Sequence, residues 1–233
     1  MARDGYYAAR KPRLLRSFDR FARRAHRHLE RGWDHDFATT VLADARAEYD
    51  ALIPQLPYIG GWRNLFTPVV IVNGWLVALH RAMASRGQSA EDTIRVCAAI
   101  SDEFVRAIPA SIRRLIGRLA FTRPVRWVFQ WQASRSRARH HAEDFVYSVQ
   151  VADGEFALVF DECAVNKFYD RQGLRELKPY CNFFDVTYSR LMNMGIDANE
   201  TIGLGCSQCT LRYAHGRATK VPPTLTHVLP ATR

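Results

Sequence analysis

The sequence has no apolar run long enough to cross a bilayer. Its longest apolar stretch, Pro68 to Leu79, contains Asn73 and Gly74 and is shorter than the roughly 20 residues that a transmembrane helix needs. Residues 1–16 are basic and lack the apolar core of a secretory signal. We therefore expect no membrane span and no secretory signal.

Several short enzyme motifs are also missing. The chain contains no G-x-S-x-G elbow, no Walker loop, no G-x-G-x-x-G and no H-E-x-x-H. These motifs position a serine nucleophile, a nucleotide phosphate, a dinucleotide and a zinc ion, respectively. The sequence therefore gives no support to a serine hydrolase, a nucleotide hydrolase or a dinucleotide enzyme.

Cysteine is scarce and its number is odd. Five cysteines in 233 residues are not typical of a disulfide framework, which pairs an even number in a short chain. Thiols stay reduced in the cytoplasm. We therefore expect a cytoplasmic protein with free cysteines.

Acidic residues are outnumbered by basic ones. The chain has 33 Lys+Arg against 23 Asp+Glu, a formal charge of +10 and a pI near 9.7. Arginine runs at 10–31 and 106–141 could bind nucleic acid, an anionic membrane surface or an acidic partner. Because these arginines lie opposite apolar stripes, we favour a solvated helix face over nucleic-acid binding. Aromatic residues near Trp127 and Trp131 would suit a homodimer contact.

The hydrophobic pattern changes near the middle of the chain. Apolar residues recur at helical spacing in residues 14–29, 37–52, 67–85, 91–107 and 108–119. After about Glu143 the pattern alternates, and Asp153-Gly154 is a turn signal between two β-rich runs. We predict an α+β fold, with a helical N-terminal half packed on a small antiparallel sheet in the C-terminal half.

The same change suggests how the chain is organised. We expect a basic N-terminal helix over 1–36, one α+β domain over 37–216 and an extended tail over 217–233. Within the domain, the helical part covers 37–142 and the sheet part covers 143–216.

Four of the five cysteines lie in the last third of the chain. A thiolate is both a strong nucleophile and a soft metal ligand, so this clustering fits either chemistry. Cys206 and Cys209 form a C-x-x-C pair, which with Cys163 and Cys181 could complete a four-thiolate zinc site. Free cysteine is also often a small buried hydrophobe, which is the interpretation we give to Cys97.

One loop and three cysteine contexts resemble the L-2-amino-thiazoline-4-carboxylic acid hydrolase family. The matching segments are Ile53-Pro54-Gln55-Leu56-Pro57-Tyr58-Ile59-Gly60-Gly61-Trp62-Arg63-Asn64, Arg86-Gly87-Gln88-Ser89, Asp161-Glu162-Cys163, Glu176-Leu177-Lys178-Pro179-Tyr180-Cys181 with Asp185, and Thr201 through Gly205 to Cys209. The resemblance covers roughly residues 37–216. Two positions depart from the family: Thr210 stands where an acidic residue is usual, and Cys206 is additional.

The resemblance implies hydrolysis of a carbon–nitrogen bond in a small heterocycle, in which a 2-aminothiazoline carboxylate opens to a carbamoyl-cysteine. Our hypothesis assigns the nucleophile to the Cys181 thiolate and the general acid/base to Asp185. Glu162 is a second candidate for proton transfer. Cys163 and Cys209 line the same pocket in this interpretation, and no cofactor is needed.

The 53–64 loop supplies the predicted substrate contacts. Arg63 is a candidate for a bidentate bond to the substrate carboxylate, and Tyr58 and Asn64 are further candidates. A small-molecule substrate, in a biosynthetic pathway that opens or closes a heterocycle, is the partner we expect.

Two alternatives remain open. In one, Cys163, Cys181 and Cys209 bind zinc or another divalent metal that activates water. In the other, the chain is a non-catalytic member of the family that binds a small ligand, and Thr210 marks lost acid/base function.

Overall fold

The structure is a computed structural model and describes residues 5–138, 141–152 and 154–231. Its helices are α1 (Lys11–Gly32), α2 (His35–Leu52), α3 (Thr67–Ala84), α4 (Ala90–Arg106), α5 (Ala110–Leu119), α6 (Arg123–Arg137), α7 (Ala164–Gln172) and α8 (Phe183–Leu191). Its strands are β1 (Val146–Ala152), β2 (Glu155–Glu162), β3 (Ile196–Glu200) and β4 (Cys209–Ala214). The predicted α+β class is confirmed. Asp153 of the predicted turn, and Arg139 and His140 of the second arginine run, lie outside the described residues.

The chain forms two compact units. The first is Met1–Ile100 and the second is Ser101–Arg233, and α4 continues from one into the other. The boundaries that the sequence suggests, after residues 36 and 216, remain predictions. None of the helices in the described ranges is long and apolar enough to cross a membrane.

Helices α1, α2 and α3 share the core of the first unit. The rings of Phe18 and Tyr49 are both fully buried and stack with their centroids 5.2 Å apart. Gly74 of α3 lies so close to this core that a Cβ atom there would come within 2.7 Å of Leu56. Asp34 caps α2, because its carboxylate accepts a hydrogen bond from the backbone amide of Phe37 at 2.7 Å.

The second unit is built on a four-stranded sheet in the order β1-β2-β4-β3, with each neighbouring pair antiparallel. The inner strands β2 and β4 pair over six positions, from Glu155 opposite Ala214 to Phe160 opposite Cys209. Within this pair the rings of Phe156 and Tyr213 stack at 4.9 Å. The end of β2 therefore lies beside the start of β4.

Helix α6 packs on β1. The hydroxyl of Tyr147 donates to the backbone carbonyl of Phe129 at 3.2 Å, and the amide of Tyr147 donates to Oγ of Ser136 at 3.3 Å. Tyr147 is completely buried, so its ring and its two hydrogen bonds join the helix to the sheet.

The segment that follows the sheet is tied to β3. The backbone amide of Lys220 donates to the carbonyl of Ile196 at 2.8 Å, and its ammonium group pairs with Asp197 at 2.6 Å. Leu225 and Val228 are buried. The tail is therefore anchored by apolar packing as well as by these polar contacts.

Gly195 is required by backbone geometry at the start of β3. Its φ is +56°, and a Cβ atom there would come within 2.3 Å of the carbonyl oxygen of Ala214. Gly216 has a similar φ of +77°, but a Cβ atom there would meet nothing within 4 Å. Substituting alanine at Gly216 therefore tests the free-energy cost of a positive φ alone. Substituting alanine at Gly195 tests that cost together with the cost of a clash with the backbone.

We expect Gly195→Ala to destabilise the protein far more than Gly216→Ala. A positive φ alone costs an L-residue about 1–2 kcal/mol, and the carbonyl clash at position 195 adds about 1–3 kcal/mol because backbone has to move. Urea unfolding of both variants measures the difference. Equal midpoints for the two variants would contradict this geometry.

Candidate active site

Four predicted site residues meet at one end of the β2–β4 pair. Cys163 follows β2 and is the N-cap of α7, and Cys209 is the first residue of β4. Cys181 ends the 3-10 segment Arg175–Tyr180, and Asp185 lies in the first turn of α8. We call Cys163, Cys181, Cys209 and Asp185 the thiol–carboxylate cluster.

The turn at Ile202 and Gly203 connects two of these thiols. The backbone amide of Ile202 donates to Sγ of Cys209 at 3.1 Å, and the backbone of Gly203 also interacts with that sulfur. A Cβ atom on Gly203 would come within 3.0 Å of Sγ of Cys181 and 2.1 Å of the carbonyl oxygen of Lys178. A side chain at position 203 would therefore displace the Cys181 segment.

All three thiols of the cluster are held in the protonated form. Burial raises the pKa of Cys209 to about 12, and the neighbouring Cys163 and Asp185 act in the same direction. Burial, followed by Cys163, Cys209 and Asp185, raises the pKa of Cys181 well above its usual value. A thiolate at Cys181 therefore requires a base that removes its proton.

Cys163 is the thiol with the most groups that favour its ionised form. Burial raises the pKa of Cys163, but the backbone amides of Val165 and Asn166 and the Asn166 side chain oppose that rise. These amides belong to the first turn of α7, where unpaired N–H groups favour negative charge. They act on the sulfur without forming a capping hydrogen bond of ordinary geometry.

Asp185 is a suitable base for this cluster. Burial raises the pKa of its carboxyl group from 3.8 to about 6, against the opposing effect of its own backbone amide. A group with a pKa near 6 can both accept and return a proton near neutral pH. Burial raises the pKa of Tyr188 and that of Tyr213, and the Asp185 charge adds to both shifts, so both phenols lie near the carboxylate.

Asn166 is a site residue that the sequence analysis missed. Its amide nitrogen lies 3.8 Å from Sγ of Cys181, and the same side chain interacts with Cys163. Asn166 is only 3 % exposed, and within the described residues its Oδ1 atom has no hydrogen-bond partner. The spacing Cys163-x-x-Asn166, an N-cap residue and the third residue of a helix, was the available signal.

Glu162 is occupied by an ion pair. Its carboxylate bonds to the ammonium group of Lys167, which also donates to the backbone carbonyls of Ala142 at 2.8 Å and Asp144 at 3.1 Å. Lys167 thus connects the end of β2 to the segment before β1. The predicted role of Glu162 in proton transfer remains a prediction, and the structure gives it a structural contact.

Asn64 shapes its own loop in the first unit. It is buried, its amide nitrogen donates to the carbonyl of Ile59 at 2.6 Å and its Oδ1 atom accepts from the amide of Phe66 at 2.9 Å. These bonds hold the turn that precedes α3. They account for Asn64 without a substrate.

Arg63 and Tyr58 belong to the same loop. Arg63 is exposed, and Tyr58 is half-buried with its ring 5.2 Å from that of Tyr6. The loop is in the first unit and the thiol–carboxylate cluster is in the second. The substrate contacts proposed for Tyr58, Arg63 and Asn64 therefore remain predictions.

The thiols do not present a ready-made metal site. A metal site needs at least three His, Cys, Asp or Glu ligand atoms close together. Within the described ranges, the group whose ligand atoms all lie within 4.8 Å of one another is His26, Glu30 and His35. Zinc–sulfur bonds of about 2.3 Å require tetrahedral thiolates to be about 3.8 Å apart. Cys163, Cys181 and Cys209 do not form such a group, so a metal would have to draw them together.

The remaining two cysteines differ in exposure. Cys206 is exposed, whereas Cys97 is buried in α4 and burial raises its pKa to about 12. The five cysteines are all free. Of the two cysteines of the C-x-x-C pair, Cys209 thus belongs to the cluster and Cys206 is exposed to solvent.

Protein-family models, curated proteins and solved structures all fail to give a significant match. The resemblance to the thiazoline hydrolase family therefore remains a prediction from its residues.

We expect Asp185→Asn to stabilise the protein at pH 7.5 but not at pH 4. The pKa of Asp185 is about 6 in the folded protein and 3.8 without burial, so the folded state binds more protons between these values and loses stability as pH rises through this window. Asparagine removes the buried charge, which gains on the order of 2 kcal/mol at the higher pH. Urea unfolding at the two pH values measures the gain. Exposed Glu200, changed to Gln, is the control, and an equal effect of Asp185→Asn at both pH values would contradict the assignment.

Proposed function

We propose that this protein is a hydrolase that opens the carbon–nitrogen bond of a small cyclic amidine, with Cys181 as nucleophile and Asp185 as general acid/base. The observation that carries the proposal is the thiol–carboxylate cluster. Three thiols that are far apart in the sequence meet a carboxylate whose pKa is about 6. Perturbed titratable groups of this kind concentrate at catalytic sites.

The chemistry begins with a proton transfer. The Asp185 carboxylate takes the Cys181 proton as the sulfur adds to the amidine carbon of the ring. Asp185 then returns that proton to the ring nitrogen as the carbon–nitrogen bond breaks. The nitrogen receives its second proton from the exocyclic amino group, so the carbon keeps a C=N–H group beside its bond to the Cys181 sulfur. Water adds to the same carbon and supplies the oxygen of the carbamoyl group, and Cys181 leaves as the thiol.

Asn166 supports this assignment as a residue that contacts the nucleophile and could bind the substrate. Its amide nitrogen contacts Sγ of Cys181, and its Oδ1 atom is a buried acceptor without a partner in the described structure. An amidine carries N–H donors that such an oxygen can accept. Burying an acceptor without a partner costs about 1–3 kcal/mol, and a bound amidine would remove that cost.

The substrate we propose is a 2-aminothiazoline carboxylate or a close relative, as the resemblance implies. The proposed reaction uses no cofactor. The free cysteines fit a reducing compartment, so we place the reaction in the cytoplasm, in a pathway that makes or degrades a heterocycle.

We expect Cys181→Ser to reduce turnover of 2-aminothiazoline-4-carboxylate by at least about a thousandfold, because a serine hydroxyl is a much weaker nucleophile and Asp185 is too weak a base to ionise it. Release of carbamoyl-cysteine, followed by mass spectrometry, measures the reaction. Cys206→Ser is the matched control, since Cys206 is exposed outside the cluster, and it should leave turnover unchanged.

Three results would overturn the proposal. If turnover survives Cys181→Ser, Cys181 is not the nucleophile. If turnover is lost with a chelator and restored by zinc, the metal alternative is favoured. Tight binding of the compound by the wild-type protein without any product favours the non-catalytic alternative.

A further inference from the structure

The region from residue 104 to residue 142 is unusual in its charge. It contains nine arginines and no aspartate or glutamate. It includes α5 and α6. Its net charge of +9 accounts for most of the +10 of the whole chain.

Helix α5 presents its apolar side to solvent. Its four large aliphatic residues, at i, i+3, i+4 and i+7 spacing, share one face and are all exposed, with Leu115 at 54 %: Ile112, Leu115, Ile116 and Leu119. Gly117 lies on the opposite face, where a Cβ atom would come within 1.9 Å of the carbonyl oxygen of Met192. The helix therefore contacts its own unit through a glycine and leaves its aliphatic stripe uncovered.

Helix α6 adds two exposed tryptophans. Trp127 is 64 % exposed and Trp131 is 45 % exposed; they are four residues apart, so they lie on the same face. The guanidinium of Arg135 lies 5.0 Å from the centre of the Trp131 ring. Gln132 and Ala133 are buried on the other side of the helix.

Charge decides what can cover this surface. In a two-fold dimer the same patch of each copy contacts the other. Two arginine-rich surfaces would then repel each other, because the region contains no carboxylate that could neutralise their charge. Nucleic acid would pair with the arginines but would leave the aliphatic stripe of α5 in water, because its single-strand contacts use charge and aromatic stacking.

An anionic bilayer satisfies both parts of the surface. Arg113 and Arg118, which flank the stripe on its two sides, can pair with lipid phosphates, while aliphatic and tryptophan side chains enter the boundary between headgroups and acyl chains. We propose that α5 and α6 form a site that binds the surface of an anionic membrane, with the protein lying on the bilayer.

Vesicle flotation tests the proposal on the full chain. We use vesicles of phosphatidylcholine alone and of phosphatidylcholine mixed with phosphatidylglycerol. The protein should float with the mixed vesicles at low salt, float much less at high salt, and remain unbound with phosphatidylcholine alone.

Two double variants separate the apolar and the charged contributions. Leu115→Asn with Leu119→Asn, and Arg113→Gln with Arg118→Gln, should each weaken binding to the mixed vesicles by about tenfold or more. The controls are Val151→Asn, an exposed apolar residue of β1, and Arg20→Gln with Arg23→Gln, two exposed arginines of α1. The controls should bind as the wild type does.

Four outcomes overturn the proposal. The first is that the protein does not float with the mixed vesicles, and the second is that it floats equally with both kinds of vesicle. The third is that only the α1 control variant loses binding. The fourth is a protein that dimerises through Leu115 and Leu119, or binds an oligonucleotide through the same arginines, without binding vesicles.

Discussion

Antiparallel hydrogen bonding between β2 and β4 sets the positions of Cys163 and Cys209, two of the three thiols in the candidate site. The register places Phe160 opposite Cys209, so the chain leaving β2 reaches Cys163 beside the start of β4. The stacked rings of Phe156 and Tyr213 hold the other end of the pair. A shift of one residue would turn Cys209 to the opposite face of the sheet and separate it from Cys163.

The site formed in this way carries a cost in stability. Burial keeps the three thiols of the cluster protonated and raises the pKa of Asp185 to about 6. A structural core would place an apolar side chain at the position of Asp185. Natural proteins accept such costs mainly at functional sites, which supports the role that we propose for the cluster.

Regular patterns made much of the second unit predictable. Alternation and Asp153-Gly154 predicted the hairpin, and β1 and β2 confirm its strands. Gly173 ends α7 with a φ of +73°, the left-handed conformation that glycine adopts readily at helix ends. By contrast, β3 was not predicted, because its sequence Ile-Asp-Ala-Asn-Glu is short and polar and pairs irregularly with β4.

The site and the surface of α5 were harder to predict. The sequence suggested that Cys163, Cys181 and Cys209 belong together, but their raised pKa values follow from burial that no spacing reveals. The stripe that includes Leu115 predicted a helix, and α5 confirms it. Whether its apolar or its charged face is buried depends on tertiary contacts, here the approach of Gly117 to Met192.

The proposed mechanism depends on the electrostatic coupling of Asp185 to Cys181, and the reactivity of the Cys181 thiol across pH measures this coupling. Native protein is alkylated with limiting iodoacetamide over a series of pH values, and peptide mapping follows each cysteine separately. We expect exposed Cys206 to react first near neutral pH and Cys181 to react only at higher pH. Asp185→Asn should move the onset of Cys181 alkylation to lower pH, because a neighbouring negative charge is gone. A Cys181 that reacts ahead of Cys206 near neutral pH, with an onset that Asp185→Asn leaves unchanged, would contradict the proposed coupling.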